Sequence, residues 1–298
     1  RHLCRLDATA VYATASPFHH IAGFGNYAVA LAAGAAVVPI PRFTVEAWRD
    51  LGKLGVTHAL TVPTMLEMLL DAGALALPVL RTLQYGAAPI HPDTLRRTLG
   101  AVPDVDLVNL FGQTEGSPIT CLSPDDHRMI AAEGRDDLLG SVGRAAPGVD
   151  IHIESPGPDG VGEVLARAAH FFAPDDDGWM HTGDLGRVDH EGYLFLSGRR
   201  GDKIIRGGEN IYPVEVEQVL ETHPAVREAG VVGIPDRRWG EVVMAVIVPA
   251  GPIDIDELRA FARERLAGFK VPTEWQTADV LPRNASGKLL RRHLVKGP

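Results

Sequence analysis

Short apolar runs recur along the first third of the chain, at 10–15, 35–40, 57–62, 80–85 and 106–111, each bounded by turn-forming or polar residues. Runs of that length read as buried strands. Helical spacing fills the gaps between them. In 44–54, Val45, Trp48 and Leu51 share one face, and Thr44 stands where a side chain caps the free amides of a first turn. Regular alternation of strand and helix predicts an α/β fold, a parallel sheet with helices on its faces. Ligands of such sheets gather beyond the carboxyl ends of the strands. That singles out the loops 16–23 (SPFHHIAG), 85–90 (YGAAPI) and 111–116 (FGQTEG).

The pattern changes at 141–197. Short alternating runs at 149–153, 162–166 and 194–196 are broken by Gly, Pro and Asp, as in a small antiparallel sheet or barrel-like subdomain. After it comes 198–217, GRRGDKIIRGGENIYPVEVE, with Arg199, Arg200 and Lys203 in one basic segment, the pair Gly207–Gly208 at a bend, and Pro213 opening a helical Val214, Val216, Val219, Leu220 pattern. By itself this is a linker. A small α+β unit follows, with strands at 226–234 and 241–248 and a helix at 255–266, capped by Asp254 with Glu257 three positions on and stopped by Gly268.

Composition narrows the function. The 298 residues allow one large or two ordinary domains, and 45% hydrophobic content fits a globular chain. A net charge of −9 argues against a nucleic-acid surface but leaves room for a locally positive pocket for a small anion. Cys4 and Cys121 make no disulfide framework and suit the cytoplasm. The apolar run 28–41 is too short for a membrane span. The chain opens on Arg1 close to its first strand, so we expect a preceding portion.

Several motifs carry little. Gly23, Gly25 and Ala28, with Glu46 downstream, match a dinucleotide fingerprint loosely, but PFHHIA separates them from the preceding strand, so small-residue packing is the better reading. Pro282 stands where a P-loop ending at Ser286–Lys288 needs glycine. His19 and His20 lack matching metal ligands and suit a pocket wall, and Asp175–Asp177 read as a solvated turn. More informative are Thr114 and Glu115 at a strand end, suited to a phosphate oxygen and Mg²⁺. Asp184 in HTGDLG is suited to two ribose hydroxyls, with Arg199 able to approach from the other side, and Lys288 is a single lysine among small residues in LPRNASGKLLRR.

In this order PFHHIAG, YGAAPI, FGQTEG, HTGDLG, GRRGDKIIRGGENIYPVEVE and LPRNASGKLLRR resemble the motifs of the acyl-adenylate-forming (ANL) enzymes, and GGENIYPVEVE resembles the acyl-CoA ligase branch. The resemblance implies that 1–198 is the C-terminal part of a large AMP-binding domain (1–140 the βα sheet, 141–198 the β subdomain) and 199–298 a hinge and mobile domain. It implies attack of a carboxylate, fatty or otherwise apolar, on ATP to give acyl-AMP, then transfer to CoA. An acyl-carrier protein as acceptor, or an inactive nucleotide- or acyl-binding fragment, are the alternatives. By resemblance Gly86, Ala87, Ala88 and Pro89 form the adenine wall, with Phe111, Gly112 and Gln113 beside the nucleotide, and Thr114 contacts phosphate. Glu115 holds Mg²⁺, Asp184 and Arg199 hold the ribose, and Lys288 bridges carboxylate and phosphate. His20 and Gly112 line the acyl pocket, Gly207, Gly208 and Glu209 the path of CoA, where a side chain would block a tunnel, and Gly201 and Asp202 form the hinge. Three departures stand out: the family's phosphate-gripping loop would precede Arg1, the stretch between Glu163 and Trp179 is short, and Gly201 occupies a pivot usually held by Asp or Lys.

Overall fold

The computed structural model describes residues 3–16, 18–172, 177–284 and 287–295. Five apolar runs become strands, alternating with helices: β1 (Val11–Thr14), α1 (Ile21–Ala32), β2 (Ala36–Pro39), α2 (Val45–Leu51), β3 (His58–Thr61), α3 (Pro63–Asp71), β4 (Thr82–Gly86), α4 (Pro92–Ala101) and β5 (Asp106–Gln113). Thr44 accepts from the Ala47 amide at 3.0 Å, and Trp48 and Leu51 are buried as their spacing requires. β6 (Gly116–Leu122), α5 (Pro124–Glu133) and β7 (Arg144–Ala145) complete this part. The seven strands lie in the order β2-β1-β3-β4-β5-β6-β7, parallel from β2 to β5 and antiparallel beyond. Strand order therefore reverses between β1 and β3, the point at which an open parallel sheet leaves a crevice at its carboxyl edge.

FGQTEG is not an open loop. β5 runs through Gln113, Thr114 and Glu115 make the turn, and β6 starts at Gly116. A Cβ on Gly112 would lie 2.7 Å from Ser117 Oγ, and one on Gly116 2.8 Å from Phe171, so this hairpin closes too tightly for larger residues.

A second sheet holds β8 (Asp150–Glu154), β9 (Gly162–Arg167), β10 (Met180–Val188) and β11 (Leu194–Arg199), antiparallel in the order β11-β10-β9-β8. Of the two forms expected it is the sheet, since β8 and β11 remain its edges. It is joined to the first by the buried Asp126 of α5, which accepts from Tyr193 Oη (2.6 Å) and Arg144 (3.0 Å) and closes a capping box with Ser123. The third sheet is built from β12 (Ile204–Arg206), β13 (Glu209–Ile211), β14 (Val226–Asp236), β15 (Gly240–Pro249) and β16 (Glu274–Thr277), covered by α6 (Pro213–Glu221) and α7 (Ile255–Arg265). Its core is Ile204, Val216, Leu220, Val231, Val243 and Leu258.

Three local expectations change. The glycine pair is the two-residue turn of the β12–β13 hairpin, φ +61° at Gly207 and +91° at Gly208, both in the left-handed region such turns require. Asp254 caps α7 through the Asp256 amide, and Glu257 reaches instead toward His223. The helix ends where Leu266 turns extended (φ −117°, ψ 148°), two residues before Gly268. The reading of Gly23, Gly25 and Ala28 is unchanged, since they lie inside α1, a helix interior rather than a phosphate turn.

Candidate functional site

The centre is a bulge in β10. His181 pairs with Leu165 and Leu185 with Glu163, so Thr182, Gly183 and Asp184 are fitted into a shorter span of the neighbouring strand. The Thr182 hydroxyl and the Gly183 and Asp184 amides are all held. Thr182 Oγ1 donates to Val164 O (2.7 Å) and accepts from the Asp184 amide (3.0 Å), while the Gly183 amide, at φ +70°, donates to Glu163 Oε1 (3.2 Å). The bulge turns Asp184 into a buried position opposite Arg199 of β11, whose Nε lies 2.8 Å from Oδ1. The other oxygen, Oδ2, is buried with no hydrogen-bond partner. A buried carboxylate with one oxygen unpartnered is costly and marks a place prepared for a donor. Burial pushes the Asp184 pKa up, against the pull of Arg199 and Lys288.

Lys288 reaches this pair from the far end of the chain. Its loop is closed by Lys288 N to Asn284 Oδ1 (2.9 Å), Asn284 N to Lys288 O (3.0 Å) and Leu290 N to Pro282 O (2.8 Å). Gly287 sits where β3 passes into α3: an added Cβ would lie 3.1 Å from Thr64 Oγ1, in the first turn of α3, and 3.7 Å from Val62. Lys288 is exposed as a residue. Partial desolvation and Arg199 lower its pKa, while Asp184 and Asp202 hold it up.

The remaining candidates divide. Gly86 closes β4 with no room for a side chain, since its Cβ would lie 2.8 Å from Leu110 O; Ala87 follows at φ +66°, a strained conformation for a residue with a Cβ. Ala88 is half-buried and Pro89 exposed. Because β4 and β5 are parallel neighbours, Gly86–Pro89 and the Thr114–Glu115 turn emerge at the same edge of the sheet. Thr114 and Glu115 are exposed at its tip, anchored by the Phe172 amide on Glu115 O. His20 Nδ1 accepts from the Ala22 amide and caps α1. Gly207, Gly208 and Glu209 are exposed on their hairpin, Gly207 under the Trp239 ring, and nothing lies within 4 Å of a Cβ on Gly208, whose φ of +91° already favours glycine. Gly201 has an ordinary φ with open space around it, and Arg200–Asp202 form one 3₁₀ turn. The turn read at 175–177 is described only at Asp177, which accepts from the Trp179 amide, and Ser286 lies outside the described residues.

Sequence reasoning missed Glu163. It supports the bulge through Gly183, lies 3.3 Å from His181 Nδ1 and binds Arg200 at 2.7 Å. The glycine inside HTGDLG was the available signal, since glycine within a strand marks a bulge.

Two family profiles cover most of the chain: "AMP-binding enzyme" matches residues 1–173 and "AMP-binding enzyme C-terminal domain" residues 215–288. The chain belongs to the adenylate-forming (ANL) superfamily of AMP-binding enzymes. Among curated relatives, a fatty acid–[acyl-carrier-protein] ligase of Streptomyces coeruleorubidus is 40% identical over 93% of the chain and 57% of its own length. A 2-succinylbenzoate–CoA ligase of Bacillus subtilis is 36% identical over 94% and 59%. The ANL chain thus spans about 60% of the relatives it matches. Of solved structures, the Bacillus subtilis o-succinylbenzoate CoA synthetase with its acyl-adenylate intermediate superposes with TM-score 0.85 at 34% identity, covering 100% of this chain and 63% of that one. The same enzyme was solved with ATP and a magnesium ion. No helix among the described residues is long and apolar enough to cross a membrane.

Proposed function

We propose that this chain carries the ribose- and carboxylate-handling part of an AMP-forming acid–thiol ligase. The observation behind it is the buried Asp184 carboxylate, one oxygen on Arg199 and the other unpartnered, with Lys288 nearby. A pair of ribose hydroxyls supplies the donors that Asp184 lacks, and Arg199 fixes the carboxylate's orientation.

Beside it, Lys288 is suited to lie between two anions. In the first half-reaction a carboxylate oxygen attacks the α-phosphorus of ATP and pyrophosphate leaves. Both reactants are negative, and a preorganised ammonium lowers their mutual repulsion most as they meet. Glu115 is our candidate to hold Mg²⁺: it is an exposed hard-oxygen donor with no ion-pair partner among the described residues, and Mg²⁺ takes few protein carboxylates beside phosphate oxygens. Bound there, the ion would neutralise charge on the phosphates. Ala87, strained at the end of β4, and Thr114 at the hairpin tip are our candidates for the adenine wall and a phosphate contact. In the second half-reaction a thiol sulfur attacks the acyl carbonyl carbon, AMP leaves and the thiol proton is lost.

The substrate we favour is a fatty or other apolar carboxylic acid, with CoA as acceptor. A carrier-protein acceptor is the second reading, favoured by the 40% identity to a ligase that loads one. The test is pyrophosphate release by the full-length protein over a panel of carboxylic acids, with CoA, with a phosphopantetheinylated carrier protein, or with neither. Release that depends on one acid and turns over faster with one thiol supports the reading. Absence of acid-dependent release across the panel contradicts it.

A further inference from the structure

Beneath α1 the first sheet buries a mostly apolar face. Thr14, Leu60, Gln84 and Val108 stand in register across β1, β3, β4 and β5, and Tyr12, two residues before Thr14, shares their side of the sheet. Leu60, Val108 and Ala30 pack with Tyr12 in one core cluster, and Ala22 and Leu110 lie against it. Three side-chain oxygens between α1 and this face are buried with no hydrogen-bond partner among the described residues: Tyr12 Oη, Tyr27 Oη and Gln84 Oε1. Their residues are 0%, 7% and 2% exposed. Native proteins rarely leave buried polar atoms unpaired, and three in one neighbourhood call for a common explanation.

The three groups are neighbours. The Tyr12 and Tyr27 rings meet edge to face with centroids 6.5 Å apart. Gln84 Nε2 donates to Oδ1 of Asn26, the residue before Tyr27, at 3.3 Å, and to Cys4 Sγ at 2.9 Å; Cys4 packs in the same cluster as Tyr12. Asn26 is in turn oriented by its Nδ2, which donates to Ala22 O at 2.9 Å. With its amide hydrogens engaged, Gln84 has only an acceptor left to offer. Burial pushes the pKa of both phenols up, so each keeps a hydroxyl hydrogen to donate.

Their depth below the carboxyl edge also agrees. Gln84 is two residues before Gly86, and Tyr12 is level with Thr82, four before it, which at about 3.3 Å per residue is roughly 7–13 Å below the end of β4. Tyr27 lies seven residues beyond the cap His20, about 10 Å along α1 at about 1.5 Å per residue. The edge above them carries Gly86–Pro89 and the Thr114–Glu115 turn, with Gly287 of the Lys288 loop where β3 passes into α3. An acid whose carboxylate meets Lys288 at that edge, and whose chain passes under α1, brings its middle atoms to the depth of the three oxygens.

We propose that Tyr12, Tyr27 and Gln84 form the specificity end of the acyl site, and that the acid they select carries a hydroxyl partway along an otherwise apolar chain. This rests on the ligase reading above and narrows the acid favoured there. A hydroxyl has one hydrogen and two lone pairs, the complement of one carbonyl acceptor and two phenol donors. It donates to Gln84 Oε1 and accepts from the two phenols, while Ala22, Leu60 and Leu110 suit the alkyl parts. An unsubstituted acid leaves all three groups unpaired, the situation in which a polar site discriminates most strongly.

The test compares straight-chain acids of one length, plain or with a single hydroxyl at successive positions, on the full-length protein. Calorimetric titration without nucleotide reads binding, and acid-dependent exchange of pyrophosphate into ATP reads use. One hydroxy acid is expected to bind at least about tenfold more tightly than the plain acid, with the same order in kcat/KM for exchange. Tyr27→Phe and Gln84→Leu should each bring that ratio toward one, and Tyr12→Phe replaces either variant that fails to fold. A ratio near one in wild type at every position and in both assays, the outcome if ordered water alone fills the cluster, overturns the proposal. So does a wild-type preference that none of the variants moves. Preferential binding of a hydroxy acid with no exchange on any acid would sustain the cluster's role and refute the ligase reading, whereas exchange without preference would do the reverse.

Discussion

Asp184 pairs one buried oxygen with Arg199 and leaves the other without a hydrogen-bond partner. Asn at this position keeps the volume and removes the charge. We expect Asp184→Asn to weaken ATP binding by roughly 1.5–3 kcal/mol, the usual contribution of hydrogen bonds to a charged group, or about ten- to a hundredfold in Kd by calorimetric titration. Unchanged affinity would remove Asp184 from the ribose. Gly207 makes a different kind of demand. At φ +61° and beneath Trp239, Gly207→Ala is expected to cost about 1–2 kcal/mol of stability, read as a lower midpoint in urea, because an L-residue pays that much for left-handed backbone. At this scale the sequence was informative where a residue's chemistry is unusual for its surroundings, as with Asp184 between glycines. It was silent on Arg291, whose partner Glu217 is 74 residues away.

Among the elements, α6 carries the clearest pH signature. Glu221 accepts from the Ala229 amide, and burial pushes its pKa up to about 8, with like charge on Glu217, Glu67 and Glu228 adding to the rise. Its folded pKa is thus above its unfolded value near 4.5. Between those values the folded state binds the extra proton, so its contribution to stability is full below about pH 4.5, falls as pH rises, and is lost above about pH 8. Glu221→Gln keeps an acceptor and removes the titration. We expect it to exceed wild type by about 1–3 kcal/mol at pH 9 in denaturant titrations and to converge with it toward pH 5. Parallel curves across that range would show that Glu221 does not titrate there.

The elements also differ in how legible they were. β1 to β5 announced themselves because a strand covered by helices is continuously apolar. β6 did not, since GSPITCL mixes Pro and polar residues in a strand held by hairpin closure. β10 did not either: its bulge spends Thr182, Gly183 and Asp184 on geometry rather than burial, and that erases the alternation. The β12–β13 hairpin has only three residues on each side, and its Gly-Gly turn was the one cue.

Over the whole molecule, the fold's contribution is convergence. The strand order switches between β1 and β3, the parallel pairing of β4 with β5 brings two candidate loops to one edge, and Gly287 of the Lys288 loop rests where β3 passes into α3. Motif order along the chain named candidate residues but not their assembly, because Asp184 lies on the second sheet and Lys288 on a loop near the end of the chain. The most direct measurement is exchange of labelled pyrophosphate into ATP by the full-length protein, with its best carboxylic acid, against the Lys288→Ala variant. Loss of an ammonium acting on the transition state predicts acid-dependent exchange in wild type reduced about a hundredfold or more in the variant, with thioester formation from supplied acyl-AMP retained. No acid-dependent exchange in wild type, or equal loss of both half-reactions in the variant, would contradict it.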